Sequence, residues 1–239
     1  MKIKNLIKVT SLVLILGITN QSYSETQKNN IMKKTKTEKI GLLVTMTAKS
    51  GKEQAVKQFL LGGLALVNKE PLTESWFAFQ LDERTFGIYD TFEAEEGRQA
   101  HLTGEVAKAL LSNAGELLEG FDASKDIQQI DIITSNHKPS LQNKGLLVIM
   151  KAQEGKSAEL EGFLNVGKEL VGSETKTASW YAIKIDNSTY AIFDTFAGIE
   201  GRDEHLNGKV AAALIENAPR ILDGFGASAI QKINILASK

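Results

Sequence analysis

The chain contains an internal repeat, and this feature constrains its fold more than any other. The segment Gly41–Ser124 aligns without a gap to Gly145–Ser228 at an offset of 104 residues, and 41 of the 84 aligned positions are identical. One residue is then lost before the last stretch, where Ile127 matches Ile230. A repeat of this length predicts two copies of one structural unit, which we call module 1 and module 2.

The repeat sets the domain boundaries. We place module 1 at residues 40–134 and module 2 at residues 144–239, with residues 135–143 between them as a polar linker containing Pro139. Residues 1–24 are typical of a secretory signal peptide, because lysines precede an apolar run and small residues precede a cut after Ser24. Residues 25–39 are polar and lysine-rich, which predicts a flexible tether.

These features also predict a location. The apolar run is shorter than the roughly 20 residues of a membrane span, so we expect cleavage and a periplasmic or secreted protein with no stable membrane span. An uncleaved anchor is the alternative. The formal net charge of −1 offers no basic surface for nucleic acid. The chain has no cysteine, which excludes disulfides, thiolate metal sites and cysteine nucleophiles.

Each module shows the same order of hydrophobic patterns. A short apolar strand is followed by a helical pattern, two β-rich stretches, a second helical region and an alternating last strand. We expect the second helical region to break near Gly104 and again near Gly115, where module 2 has Pro219, a residue typical of helix starts. The order β-α-β-β-α-β predicts an α+β fold, a ferredoxin-like module with a four-stranded antiparallel sheet.

Such a sheet carries helices on one face only, so its other apolar face requires cover. The second module supplies this cover within the same chain. We therefore expect the tandem ferredoxin-like modules to form a pseudo-dimeric α/β barrel, which the linker is long enough to allow. A domain-exchanged homodimer is the alternative.

Three motifs recur in both modules at the same spacing. They are Ser-Trp-(Phe/Tyr)-Ala from 75 and 179, Asp-Thr-Phe from 90 and 194, and Glu-Gly-Arg-x-x-His-Leu-x-Gly from 96 and 200. Through them each module resembles the antibiotic biosynthesis monooxygenase family, small dimeric α/β-barrel proteins that include quinol monooxygenases and haem-degrading enzymes. The resemblance implies oxygenation of a small aromatic or quinol-like compound, with no metal and no cofactor, in a cavity between sheet and helices.

The resemblance also points to residues. The histidine on the family's second helix matches His101 and His205. The haem-degrading branch has in addition an asparagine on the first strand and a tryptophan after the third. This chain has no asparagine on that strand and has Phe92 or Phe196 after the third strand, so it departs from that branch at two of three positions.

His101 and His205 are our candidates for catalysis. An ordinary histidine pKa near 6.5 suits removal of a phenolic or hydroquinone proton, which makes an electron-rich substrate reactive towards dioxygen. The alternative is a structural histidine that forms hydrogen bonds within its own helical segment. A metal site built from His101, Asp90 and Glu96 is a further alternative, although it has one imidazole per module.

The candidate substrate-binding residues are aromatic or cationic. They are Trp76, Trp180, Phe92, Phe196, Arg98 and Arg202. Successive strand residues face opposite ways, so the side chains at 76 and 78 lie on one face of the sheet and those at 77 and 79 on the other. The arginines would hold an anionic substrate oxygen, with pairing to Asp90 or Glu96 as the alternative.

Asp90 and Asp194 have a structural alternative as well. Each ends a strand just before a helix, so each is a candidate helix cap together with the threonine that follows it, Thr91 or Thr195.

Two functions of different classes follow. The first is an exported, cofactor-independent monooxygenase that oxidises a small aromatic or quinol-type compound with dioxygen. The alternative is a non-catalytic α/β-barrel module that binds a hydrophobic ligand, with haem as one such ligand.

Overall fold

The structure of the chain is a computed structural model that describes residues 37–138 and 140–239. The predicted signal peptide, residues 1–24, lies outside the described residues, as do Pro139 and most of the predicted tether. Among the described residues, no helix is long and apolar enough to cross a membrane.

Strands and helices follow the same order in both modules. In module 1 they are β1 (Ile40–Thr47), α1 (Glu53–Val67), β2 (Ser75–Gln80), β3 (Thr85–Phe92), α2 (Glu95–Leu102), α3 (Glu105–Leu117), α4 (Ala123–Asp126) and β4 (Ile127–His137). In module 2 they are β5 (Lys144–Lys151), α5 (Ser157–Gly172), β6 (Thr177–Lys184), β7 (Thr189–Phe196), α6 (Ile199–Leu206), α7 (Lys209–Ile221), a 3₁₀ turn (Ala227–Ala229) and β8 (Ile230–Ser238).

The strands form one closed antiparallel barrel in the order β1-β3-β2-β8-β5-β7-β6-β4. Each module contributes four consecutive strands in a ferredoxin-like order. The modules join where β2 pairs with β8 and where β4 pairs with β6. The barrel thus closes within one chain, which confirms the predicted fold class of tandem ferredoxin-like modules in a pseudo-dimeric α/β barrel.

Side-chain alternation along β2 separates two cores. Trp76 and Ala78 lie between the sheet and the helices, whereas Phe77 and Phe79 point into the barrel. Side chains from both modules fill the barrel together. The ring of Tyr89, for example, stacks on that of Phe193 with 4.4 Å between the centroids. The inside of the barrel is therefore a packed core shared by the modules.

The second helical region breaks at Gly104, as predicted, but its far end differs from the prediction. Gly115 lies inside α3 and Pro219 lies inside α7, so the expected second break is wrong. Proline removes the hydrogen bond to the carbonyl of Ile215, but Ile215 is 63% exposed and water can bind that carbonyl instead. The helix continues because Ile221 remains packed in the core.

Strand β4 continues into the segment predicted as a linker. Ser135, Asn136 and His137 pair with β6 of the other module, so the first part of that segment extends the barrel.

Candidate functional site

Each histidine of the repeated motif lies between two carboxylates. His101, in the last turn of α2, has a side chain that is 6% exposed. Its Nδ1 lies 2.6 Å from Glu70 Oε2, and its Nε2 lies 3.2 Å from Asp90 Oδ2. Glu70 follows α1 and Asp90 lies on β3, so the histidine ties α2 to two neighbouring elements. We call Glu70, Asp90 and His101 the module 1 clamp.

Module 2 contains the same arrangement. His205 Nδ1 lies 2.7 Å from Glu174 Oε2, and His205 Nε2 lies 3.2 Å from Asp194 Oδ2. These three residues form the module 2 clamp. In both modules a threonine hydroxyl three residues after the glutamate donates a hydrogen bond to the same carboxylate oxygen that faces the histidine. The two clamps are therefore equivalent in every polar contact described.

The carboxylates raise the pKa of each histidine. Burial alone would lower it, but the hydrogen bond and charge of Asp90, together with those of Glu70, raise the pKa of His101 to about 9. The corresponding carboxylates of module 2 outweigh burial in the same way and raise the pKa of His205 to about 10. Both imidazoles are therefore protonated on both nitrogens near neutral pH. In that state neither ring has a lone pair with which to accept a proton or bind a metal ion.

Local geometry explains why the glutamates lie where they do. Gly104 precedes α3, and a Cβ at this position would lie 2.9 Å from Glu70 Oε1. In module 2, a Cβ at Gly208 would lie 3.1 Å from Glu174 Oε1. Each carboxylate thus lies beside the N-terminus of a helix, where unpaired N–H groups favour negative charge. His101 lies in the last turn of α2, at the C-terminal end of the helix, where a cation is favoured.

Sequence reasoning missed the two glutamates. Glu70 and Thr73 recur as Glu174 and Thr177, so the repeat contained the signal. They lie in the loop after the first helix of each module, away from the three motifs. Only the fold brings that loop beside the motif histidine.

The expectation that Asp90 caps a helix is wrong. Its carboxylate is 1% exposed and faces His101, and burial raises its pKa. The residue before α2 is Ala94, and it forms no side-chain cap. Thr91, the other expected cap, points into the barrel mouth and donates to Glu38.

The motif arginines do not reach the clamp aspartates. Arg98 pairs with Glu95 on its own helix, so the expected pairing with Asp90 or Glu96 is wrong. Arg202 donates to a backbone carbonyl of β8 at 3.4 Å. Both side chains are mostly buried, which leaves little of either guanidinium available to an anion.

The motif phenylalanines pack against the clamp histidines. The rings of Phe92 and His101 lie 5.5 Å apart between centroids, and those of Phe196 and His205 lie 5.3 Å apart. Both phenylalanines are fully buried. They help to exclude water from the ion pairs.

A groove of about 320 Å³ lies in module 1 between α1 and α3. Its lining residues are Gln58, Phe59, Leu60, Gly62, Gly63, Leu66, Trp76, Ile88, Val106, Ala109, Leu110 and Asn113. We call it the module 1 groove. It contains no clamp residue and no side chain that titrates near neutral pH.

Trp76 forms part of the floor of this groove. The side chain is fully buried, and its indole Nε1 has no hydrogen-bond partner among the protein atoms of the described residues. Gly63 lies directly over the indole, since a Cβ there would lie 3.3 Å from the ring. In module 2, Trp180 lies beneath Gly167 in the same way and its Nε1 also lacks a partner. An unpaired buried donor is costly, so each indole N–H reduces the stability of its core.

Two spaces in module 2 border His205. One is a surface cleft of about 310 Å³ beside Glu174 and Lys176, and the other is a void of about 50 Å³ beside Asp194. In the part of the chain that the structure describes, no group of three or more histidine, cysteine, aspartate or glutamate side chains is arranged to hold a metal ion. The candidate histidines and phenylalanines thus lie at the clamps and the tryptophans in the floors, whereas Arg98 and Arg202 lie in neither place.

Comparison with known proteins identifies the fold. No family model matches the chain, and no curated protein matches it. A candidate monooxygenase from Fusobacterium nucleatum has a similar structure, with a TM-score of 0.74 and 14% identity over 85% of this chain and 94% of its own. A candidate monooxygenase from Lactobacillus acidophilus has a TM-score of 0.68 and 10% identity, over 84% of this chain and 95% of its own.

A third solved structure resembles this chain over a shorter stretch. It is a protein of unknown function from Nitrosomonas europaea, 38% identical over 44% of this chain and 98% of its own, with a TM-score of 0.40. At the low identities of the first two structures, the likeness establishes a shared monooxygenase-like fold.

Proposed function

We propose that this chain is a tandem member of the antibiotic biosynthesis monooxygenase family that binds a small, flat, uncharged aromatic or quinol-type compound in the module 1 groove and oxidises it with dioxygen. The observation that carries the proposal is the groove itself. Its walls are apolar, and Trp76 in the floor has an indole N–H without an acceptor. A volume of 320 Å³ lies at the lower end of the range of about 300–1,000 Å³ found for ligand pockets.

The polar groups of the groove favour an uncharged ligand. Asn113 donates its amide N–H to the carbonyl of Ala109, which leaves its side-chain oxygen as an acceptor. Gln58 adds an amide at the edge. A planar ring with a hydroxyl or carbonyl oxygen satisfies these groups. A charged ligand would lose its hydration without finding an opposite charge among the lining residues.

The clamps change the role that we assign to the histidines. A charged imidazole whose two nitrogens face carboxylates is a poor base at neutral pH, so we propose that His101 and His205 position α2 and α6 and do not remove a substrate proton. The groove then contributes binding, orientation and exclusion of water. A substrate that binds and reacts with dioxygen as a neutral hydroquinone meets this requirement.

A non-catalytic binding protein is the second candidate, and one observation favours it. The groove contains no group that can act as a general base. Haem is a poor occupant of this groove, because its lining has no histidine, tyrosine, methionine or cysteine that could bind the iron. We also propose that the chain acts outside the cytoplasm after removal of residues 1–24, which the N-terminal sequence of the protein recovered from expressing cells would test.

Binding and oxygen uptake together test the proposal. We would titrate the protein with 1,4-naphthoquinone, which cannot modify thiols in a chain without cysteine, and then measure oxygen uptake with 1,4-naphthohydroquinone against a protein-free control. Ala109→Leu fills the groove and should abolish both signals. Ala55→Leu, at an exposed position of α1, is the matched control and should leave both unchanged.

The outcomes separate the candidates. Binding accompanied by oxygen uptake above the control supports the monooxygenase, and binding without uptake supports the binding protein. Failure of 1,4-naphthoquinone and of a panel of one- and two-ring phenols to bind would overturn both. A His101→Gln variant that folds and retains oxygen uptake supports the positioning role.

A further inference from the structure

The module 1 groove and the matching surface of module 2 differ at two positions only. Of the twelve residues that line the groove, ten have the identical residue 104 positions later. The exceptions lie one turn apart on α1, where Gln58 and Gly62 of module 1 are replaced by Gly162 and Val166 on α5. The floor and walls of the site are therefore the same in both modules, and only the rim has changed.

The two modules also differ in how exposed the backbone above the tryptophan is. A Cβ at Gly62 would meet nothing within 4 Å, so the rim of module 1 is open at this point. Val166 places a branched side chain at the matching point. Val166 is itself 59% exposed. The next residue differs in burial as well, because Gly63 is half-buried whereas its counterpart Gly167 is buried. The backbone above Trp180 is thus covered where the backbone above Trp76 is reachable.

We infer that Gly62 and Val166 determine which module takes a ligand, so that the chain binds one molecule, in module 1, while module 2 retains a closed copy of the same site. This inference rests on the proposed function. In this inference, Gly62 leaves space for the ligand to enter the groove, and the Gln58 side-chain amide forms a hydrogen bond with the polar group of the ligand. Exchange of the residue at 62 or 166 should therefore close one site or open the other.

The two tryptophans allow each site to be observed separately. The chain has two tryptophans, one in each floor, so Trp180→Phe leaves Trp76 as the reporter and Trp76→Phe leaves Trp180. We would titrate both variants with 1,4-naphthoquinone, follow tryptophan fluorescence, and determine the number of binding sites by calorimetry on the unmodified chain. We expect one site per chain, with quenching of Trp76 that saturates and no saturable quenching of Trp180.

Rim exchange completes the experiment. Gly62→Val in the Trp180→Phe background should weaken binding at least tenfold, and Val166→Gly in the Trp76→Phe background should create saturable quenching of Trp180. Valine has a higher helix propensity than glycine, so the first variant should keep or raise the melting temperature, and lost binding cannot then be attributed to unfolding. Leu61→Val, at the neighbouring exposed position, controls for a valine on this helix.

The outcomes distinguish this inference from the proposed function. Two sites per chain, or saturable quenching of Trp180 with Val166 in place, would overturn the inference and leave the proposed function standing. Unchanged affinity after Gly62→Val would also overturn it. Absence of binding to either tryptophan would overturn both.

Discussion

The helix-covered side of the sheet and the inside of the barrel differ in how closely the two modules match. On the helix-covered side, all three clamp residues and ten of the twelve groove residues are the same in both modules. Inside the barrel, Leu43 and Leu147, Ile130 and Ile233, and Ile132 and Ile235 are the same, but four other matched pairs carry different side chains. The pairs are Phe77 and Tyr181, Phe79 and Ile183, Gly87 and Ala191, and Tyr89 and Phe193.

The difference reflects what each region packs against. A helix-covered core is made mostly within one module, with Leu236 and Ala237 of module 2 packed against the core of module 1 and Ile133 of module 1 against that of module 2. Much of the packing is therefore the same in both modules. The barrel core is made between modules, where Phe77 contacts Phe193 at 5.4 Å and Tyr89 contacts Tyr181 at 5.1 Å between ring centroids. In two identical chains, one residue would have to fit both sides of that interface. Within a single chain, a large residue on one side can be matched by a small one on the other.

The largest effect should come from breaking a clamp. Asp90→Asn removes the charge that faces a buried imidazolium, and loss of one member of a buried ion pair costs roughly 3–5 kcal/mol. Asp194→Asn should cost the same to within about 1 kcal/mol, since the clamps have equal geometry. Chemical denaturation of both variants measures this, with the exposed Asp131→Asn as control. If only one of the two variants lost stability, the clamps would not be equivalent.

A smaller effect should come from making one barrel position like its counterpart. A Cβ at Gly87 would overlap the ring of Phe79, its cross-strand neighbour, so Gly87→Ala should cost about 2 kcal/mol by overpacking. Module 2 has Ile183 opposite Ala191 at this place. Adding Phe79→Ile to Gly87→Ala should therefore restore part of the stability. If the double variant loses as much as the sum of the single variants, the compensation that we describe does not exist.

The smallest expected changes in stability come from removal of the hydroxyl groups of the two barrel tyrosines, Tyr89 and Tyr181. Tyr181 donates a hydrogen bond to Ser75 of the other module at 3.1 Å, so Tyr181→Phe should cost about 1 kcal/mol. The hydroxyl of Tyr89 is buried without a partner among the protein atoms of the described residues, so Tyr89→Phe should be neutral or stabilising. Thermal unfolding of the two variants provides the comparison. Equal losses would mean that the hydroxyls are equally satisfied.

Much of the fold was predictable because the repeat itself is a physical constraint. The order of apolar periods in each module gave the ferredoxin-like unit, and the uncovered sheet face required a second sheet, hence the barrel. The alternation at Trp76 and Phe77 correctly divided the two cores. The predicted helix break near Gly115 was wrong. Glycine and proline indicate a break from the local sequence alone, whereas packing of the following residues in the core continues the helix through Pro219.

The candidate site was less predictable. The sequence identified His101 and Trp76, but it did not show that they lie in different places. It grouped Asp90 with His101 only as a metal-site alternative, and it did not place Glu70 there, because Glu70 is 31 residues away along the chain and reaches the histidine only through the fold. The exchange of Gly62 for Val166 is visible in the sequence, but the position of Gly62 on the rim of a groove follows from the packing of α1 beside α3, which periodicity does not predict.

The central claim is that the clamp histidines are charged structural residues and that the chemistry of the chain belongs to the groove. The most direct test is a titration of the histidine ring protons by NMR, with His101→Gln and His205→Gln to assign them. We predict midpoints near pH 9 for His101 and pH 10 for His205. The stabilisation from each charged ring should then be complete below pH 6.5 and lost as the pH rises through these values. Midpoints near 6.5 for either histidine would contradict the claim and restore that residue as a candidate base.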